Sequence, residues 1–128
     1  MRSLPFYTDD LNGGFMKLEG ILRVEGETLC FEFQKKDAVF EAYQSELKTI
    51  EIPITQIEMA EFKKGMFSSK LILHGKRAAS FEGLPGKDLT TRVLKVKRAH
   101  RNIAASISSN LNLRLSEMKL REMDDEVS

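Results

Sequence analysis

Cysteine, tryptophan and long apolar runs are the features that this sequence has least of. Cys30 is the single cysteine among 128 residues, so no disulfide can form within the chain, and such usage is typical of a reducing compartment. No run approaches the roughly 20 apolar residues that cross a bilayer. The first residues, with Pro5, Asp9 and Asp10, lack the hydrophobic centre of a secretion signal. We therefore expect a cytoplasmic protein.

Residue groups that perform catalysis or bind metals are equally sparse. The two histidines, His74 and His100, have no cysteine or second histidine at ligand spacing, whereas a metal site needs three or four convergent ligands. Cys30 alternates with the inward Phe31, which places the thiol on the outer face without a positioned base. No glycine-rich phosphate loop is present. The sequence predicts no enzyme, no metal and no cofactor.

Alternation of apolar and polar residues predicts a single, mainly β domain spanning residues 1–128. Glu25, Gly26 and Glu27 separate two alternating runs, which is typical of an antiparallel hairpin. Pro53 cannot donate to a sheet ladder, so its strand lies at an edge or ends there. Residues 1–14 are predicted to be a loose arm, and residues 35–46 a helical turn or an irregular crossover around Val39, Phe40 and Tyr43. The predicted strands are residues 16–24, 28–34, 48–54, 57–64, 69–74, 78–82 and 89–97.

The last third of the chain has a different period. Ile103, Ile107, Leu111, Leu115 and Met118 recur every three or four residues, which predicts an amphipathic helix over residues 99–121 with a tail at 122–128. Seven short strands must curl to protect their edges. We therefore expect a seven-stranded antiparallel barrel or orthogonal sandwich capped by this helix. Its predicted core comprises Leu29, Phe31, Phe33, Ile50, Ile52, Leu71, Leu73, Phe81, Leu94 and Val96, closed by Ile103, Ile107 and Leu111.

Four stretches of the chain have a distinctive local sequence: LCFEFQKKD at 29–37, KTIEIPI at 48–54, IEMAEFKKGMFSSKLIL at 57–73, and LPG at 84–86 followed by VLKVKRAHR at 93–101. They resemble the bacterial pleckstrin-homology-like (PH/GRAM-like) family of small proteins of unknown function. The resemblance spans residues 16–115 and implies a PH-like fold without a catalytic motif. Relatives often bind phosphoinositides through basic residues between their first two strands. Here that loop is read as Glu25-Gly26-Glu27, which is acidic and departs from the pattern.

Charge is distributed unevenly along the chain. Residues 61–101 hold 11 Lys/Arg and 3 Asp/Glu, whereas residues 1–60 hold 6 Lys/Arg and 11 Asp/Glu. Such a bias marks a surface for anions or, alternatively, charge pairs exchanged between neighbouring strands. Without Trp and with two Tyr, the stacking platforms of nucleic-acid binders are lacking, so we expect no nucleic-acid partner. The candidate anion- or lipid-binding residues are Lys63, Lys64, Lys70, Arg92 and Lys95.

A turn within this basic segment carries two apolar residues, Met66 and Phe67. Apolar side chains between lysines can enter an anionic membrane interface, which makes this pair a candidate membrane tip. The alternative is that Phe67 folds back onto the body of the domain.

A second apolar stripe, opposite the first on the helix, comprises Leu113, Leu120 and Met123. It predicts self-association into a homo-oligomer, helped by the sheet edge near Pro53, unless the helix frays after Leu115. A two-fold pair is the default, and larger rings stay open. The sequence thus predicts a non-catalytic, PH-like interaction or scaffolding module that self-associates and has an unknown protein partner. The alternative is binding of anionic phospholipid head groups.

Overall fold

The computed structural model describes residues 3–11, 14–37, 46–86 and 88–127. The helical turn or crossover predicted at residues 35–46 is wrong at its start, because residues 35–37 continue the preceding strand. Its centre, with Val39, Phe40 and Tyr43, lies outside the described residues. The mainly β class with one C-terminal helix is confirmed. The elements are β1 (Ser3–Leu11), β2 (Met16–Glu25), β3 (Thr28–Asp37), β4 (Lys48–Pro53), β5 (Ile57–Lys63), β6 (Ser68–Gly75), β7 (Thr91–Lys97) and α1 (Arg101–Val127).

The first strand is the main correction to the sequence-based prediction. The predicted loose arm at residues 1–14 is wrong, because β1 pairs along most of its length with β2 and meets β7 where Tyr7 opposes Lys95. Leu4 and Phe6 alternate into the core and are almost fully buried. The seven strands therefore form one antiparallel sheet in the order β4-β3-β2-β1-β7-β6-β5, with β1 at its centre.

One core serves the whole sheet. Its buried side chains come from all seven strands and from α1, so the sheet curls around them. Phe6 of β1 meets Phe31 of β3 edge to face, with ring centroids 6.0 Å apart, an arrangement that aromatic quadrupoles favour. Within the described residues, β4 and β5 end the strand order and do not pair with each other. The sheet is therefore open along this seam rather than closed by hydrogen bonds.

The predicted core residues lie where alternation places them. All of them are buried except Ile50 and Ile103, which are partly buried and pack against the same cluster. Pro53 also behaves as predicted, since it ends β4 at an edge of the sheet. A 3-10 turn at Ile54–Gln56 then leads into β5, and the Ile54 N–H donates to the Glu27 carbonyl over 2.9 Å.

The segment before β7 differs from the prediction. The strand predicted at residues 78–82 is a 3-10 turn at Ala78–Phe81, in which the Arg77 N–H donates to Ser80 Oγ over 3.2 Å. Phe81 is still buried, because one inward residue fits a turn as well as a strand. β7 begins at Thr91 rather than at the predicted residue 89. An alternating pattern of only four or five residues is too short to distinguish a strand from a 3-10 turn.

The helix extends beyond its predicted bounds. A 3-10 turn at Arg98–His100 precedes α1 (Arg101–Val127), so the predicted tail is helical through residue 127 and the fraying alternative is wrong. At about 1.5 Å per residue, α1 is roughly 40 Å long. Ala104, Leu111 and Leu115 are buried on the sheet side. No helix in the described part of the chain combines the length and apolar character needed to cross a bilayer.

Candidate functional site

The turn between β5 and β6 has a conformation that its sequence constrains tightly. A Cβ added to Gly65 would lie 1.9 Å from the Ser68 carbonyl oxygen, so only glycine fits. The Gly65 N–H also donates to Ser69 Oγ over 3.3 Å, and Ser69 is fully buried. The turn is thereby tied to the body of the domain at its base.

This constrained turn holds two apolar side chains in solvent. Met66 is 76% exposed and Phe67 is 84% exposed, so the alternative in which Phe67 folds back is wrong. Scattered apolar residues are common on protein surfaces, but adjacent large ones on a fixed turn form a patch that calls for a partner.

Lysines on neighbouring strands flank these apolar side chains, and several of them lie directly opposite one another. Lys63 of β5 opposes Lys70 of β6, which in turn opposes Lys95 of β7. Lys97 opposes Ser68 at the base of the turn. Directly opposed side chains lie about 5 Å apart at Cβ, and like charges at that separation destabilise a sheet. This arrangement raises the local positive potential instead of neutralising it.

Only part of this row is neutralised. Lys95 Nζ contacts Asp9 Oδ1 at 2.7 Å, so Lys95 is partly screened. Lys63, Lys70 and Lys97 form no ion pair with another described residue, and the same holds for Lys64 beside the turn. We call the set Lys63, Lys64, Met66, Phe67, Lys70 and Lys97 the basic tip.

Arg92 does not belong to this surface, contrary to the prediction. It is buried inside the fold, with its guanidinium carbon 5.4 Å from the centroid of the Phe81 ring. Its Nη2 donates to the Leu84 carbonyl over 3.2 Å. Alternation along β7 explains the error. Arg92 lies two residues before the inward Leu94, so both side chains are on the same, inner face of the strand. Arg92 supports the loop before β7 and is not available to an anion.

The predicted self-association residues occupy the outer face of α1. Leu113, Leu120 and Met123 are each about 60% exposed, and they lie opposite the buried residues Leu111 and Leu115. We call these three residues the outer stripe. Because α1 continues past them to Val127, they are held in fixed relative positions.

A groove runs beside the outer stripe, between α1 and the end of β2. Its volume is about 450 Å³. Val24, Ile103 and Ile107 contribute apolar lining, while Arg114 and Glu117 supply opposite charges at its rim. Leu113 lines the groove as well, so the groove and the outer stripe are continuous.

Several polar side chains outside these surfaces contact one another in pairs. His74 Nε2 lies 2.5 Å from Glu61 Oε1 on the outer face. Cys30 Sγ contacts Glu25 Oε2 at 3.6 Å, and burial, followed by the nearby carboxylates, raises the pKa of this thiol. A raised pKa leaves the thiol protonated and a poor nucleophile. The described residues contain no group of three or more His, Cys, Asp or Glu side chains that could hold a metal ion.

Two features were missed or misread from the sequence. Lys97 belongs to the basic tip. The sequence indicates this position, because Lys97 lies two residues after Lys95 and therefore on the same face of β7. The acidic turn at Glu25–Glu27 joins β2 to β3, not the first two strands, because β1 was not recognised. The true first connection contains Asn12, Gly13, Gly14 and Phe15, which include no basic residue. Its sequence therefore also lacks the basic residues through which pleckstrin-homology domains often bind phosphoinositides.

Searches with this chain do not place it in a family. Comparison with family models, with curated proteins and with solved structures finds no match. The resemblance to pleckstrin-homology-like domains therefore stays a prediction that rests on the stretches quoted above.

Proposed function

We propose that this protein is a non-catalytic, PH-like interaction module that self-associates through the outer stripe of α1. The observation that carries the proposal is the alignment of Leu113, Leu120 and Met123 in solvent on one continuous helix. The occupant of this face is a second copy of the chain. The single thiol, Cys30, supports a reducing compartment, and the cytoplasm is the location that we propose.

The charges around the outer stripe support a like partner. Exposed or partly exposed side chains near it carry both signs, with Arg114, Lys119 and Arg121 balanced by Glu117, Glu122 and Asp124. A two-fold interface brings identical patches together, so each patch must be complementary to itself. A mixed patch meets this condition, whereas the basic tip, whose charged residues are all lysines, would repel its own copy.

The open edge of the sheet lies near the same end of α1. Pro53 ends the edge strand β4, and its neighbour Ile54 lines a depression together with Met118 and Arg121. A second copy seated on the outer stripe could extend over this depression. The interface would then combine a helix face with the strand end near Pro53, and a stable dimer needs roughly 1,200–2,000 Å² of total buried area.

Light scattering on a size-exclusion column tests self-association directly. The wild-type chain is expected to run above monomer mass at micromolar concentration, and Leu113→Glu with Leu120→Glu is expected to run as a monomer. Phe15→Glu with Leu47→Glu is the matched control, because it places two charges on exposed apolar positions away from α1. A monomeric wild-type protein would leave the proposal without support, as would equal masses for both double variants.

Binding of anionic phospholipid head groups is the second candidate function. It uses the basic tip rather than the outer stripe, and the observation that favours it is the exposure of Met66 and Phe67 between unpaired lysines. The two functions use different surfaces and can coexist.

A further inference from the structure

We propose that the basic tip is a bilayer-docking device, in which Met66 and Phe67 enter an anionic membrane interface and the flanking lysines contact lipid phosphates. This inference rests on the second candidate function and deepens it by stating how the turn enters the bilayer, and it involves none of the residues of the outer stripe. The shape, the charge and the fixed geometry of the basic tip each indicate a lipid surface as its occupant.

The shape of the tip selects a surface rather than a small ligand. Met66 and Phe67 project from a turn and are largely solvent-exposed, so they can be buried only by entering another phase or another molecule. A free phosphate compound would contact the lysines but would leave both apolar side chains in water. A bilayer interface covers both parts, since acyl chains accept the apolar side chains while phosphates meet the cations.

The charge of the tip matches that surface. Lys63 and Lys70 are directly opposed across β5 and β6, and Lys97 lies opposite Ser68 on β7. Folding thus brings like charges together at a cost, and an anionic surface relieves that repulsion. Screening by salt weakens such attraction over a Debye length of about 8 Å at physiological ionic strength, so binding should be sensitive to salt.

The fixed geometry lowers the entropy lost on insertion. Gly65 permits a turn that no side chain at that position allows, and Ser69 fastens the base of the turn. The two apolar side chains are therefore already directed outward before contact, and a preorganised contact binds more tightly than a flexible one.

The absence of tryptophan from the chain makes insertion directly measurable. Phe67→Trp introduces a single tryptophan at the tip, and Phe15→Trp introduces one at another exposed aromatic position as the control. With vesicles containing about 30% phosphatidylserine in phosphatidylcholine, the Phe67→Trp emission is expected to shift to the blue and to be quenched by brominated acyl chains. The Phe15→Trp emission should not change.

Sedimentation with the same vesicles measures the charge requirement. Lys63→Glu with Lys64→Glu should weaken binding roughly tenfold or more, given the contribution of each cation near an anionic surface. Lys48→Glu with Lys76→Glu, which alters net charge equally at exposed lysines outside the tip, should bind like wild type. Met66→Ser with Phe67→Ser should abolish insertion while circular dichroism shows an intact fold.

Several outcomes would overturn the proposal. These are no binding at 50 mM salt, equal losses in both charge-reversal variants, and an unshifted Phe67→Trp emission on bound protein. Displacement of vesicles by millimolar inositol hexakisphosphate with no tip insertion would assign the lysines to a soluble phosphate. Tighter binding to a single-stranded oligonucleotide than to vesicles would assign them to nucleic acid.

Discussion

Asn112 of α1 and Ala60 of β5 are joined by two hydrogen bonds that resemble a strand pairing. Asn112 Nδ2 donates to the Ala60 carbonyl over 2.8 Å, and the Ala60 N–H donates to Asn112 Oδ1 over 2.9 Å. Ser108 Oγ adds a longer contact of 3.4 Å to the same carbonyl. One side-chain amide thus satisfies both backbone groups of a residue on an edge strand, which otherwise attracts another chain.

Asn112→Ala is expected to lower the free energy of unfolding by about 1–3 kcal/mol, since the Ala60 N–H loses its partner and the Ala60 carbonyl keeps only the longer contact with Ser108 Oγ. Hydrogen exchange of the Ala60 amide should accelerate. Asn110→Ala is the control, because Asn110 is exposed on the same helix. Unchanged protection at Ala60 in the Asn112 variant would show that water replaces the amide without cost.

Ile107→Ala is expected to destabilise the fold by about 2–5 kcal/mol, the usual cost of a cavity at a buried aliphatic position. Ile107 joins the core cluster from α1 and is nearly buried. Chemical denaturation measures the loss, with Leu47→Ala at an exposed position outside the outer stripe as the control, expected within about 0.5 kcal/mol. A loss below about 0.5 kcal/mol for Ile107→Ala would mean that α1 does not seal the core.

Gly20→Ala is expected to destabilise the fold by at least about 1–3 kcal/mol through overpacking. A Cβ at this position would lie 2.3 Å from the Glu32 carbonyl oxygen and 3.0 Å from Phe6 Cζ. The matched change is Gly26→Asn, where the added side chain meets open space and asparagine tolerates the positive φ of 59°. Equal unfolding midpoints for the two variants would contradict this account of Gly20.

Glu19 is expected to make stability depend on pH. Lys36 Nζ at 2.8 Å and Lys17 Nζ at 3.1 Å hold the pKa of Glu19 below its ordinary value. Folding therefore favours the charged carboxylate, so its contribution is fully present above the ordinary pKa of about 4.3 and is lost as the pH falls through the lower folded pKa.

Urea denaturation of wild type and Glu19→Gln across this pH range tests the sign. The stability advantage of wild type should be largest near neutrality and should vanish in acid. Glu51→Gln, which removes an exposed carboxylate from β4, is the control variant for the change of Glu to Gln. An advantage of Glu19 that grows as the pH falls would reverse the assignment.

Sequence patterning predicted the inward residues of β3, β4 and β6 well, because apolar and polar residues alternate regularly there. It failed at β1 because Pro5 and the acidic pair near Asn12 resemble a loop. The structure accommodates Pro5 where β1 pairs with β2 at Ile21 and has no β7 partner. A central strand can contain proline where one of its two neighbouring strands diverges from it. The rule that excludes proline from central strands considers one strand at a time and does not include the position of its neighbours.

The candidate surfaces were predicted in part. The outer stripe follows from helical spacing alone, so Leu113, Leu120 and Met123 were found correctly as aligned positions. The lysines of the basic tip were found as a charge bias, but their register depends on which strands are neighbours. Lys95 is paired with Asp9, a residue 86 positions away in sequence, and Arg92 is inward. Neither fact can be read from local composition.

The central position of β1 has a consequence for how the chain becomes a domain as it is synthesised. The β2–β3 hairpin and the pairing of β1 with β2 need only the first 37 residues. The second half of the sheet joins them through β7, whose residues are synthesised after those of the other six strands. A nascent chain therefore exposes the free side of β1 until residue 97 has left the ribosome. Contacts between residues this distant in sequence slow folding. During the time before β7 pairs with β1, the unpaired edge of β1 is exposed to chaperones.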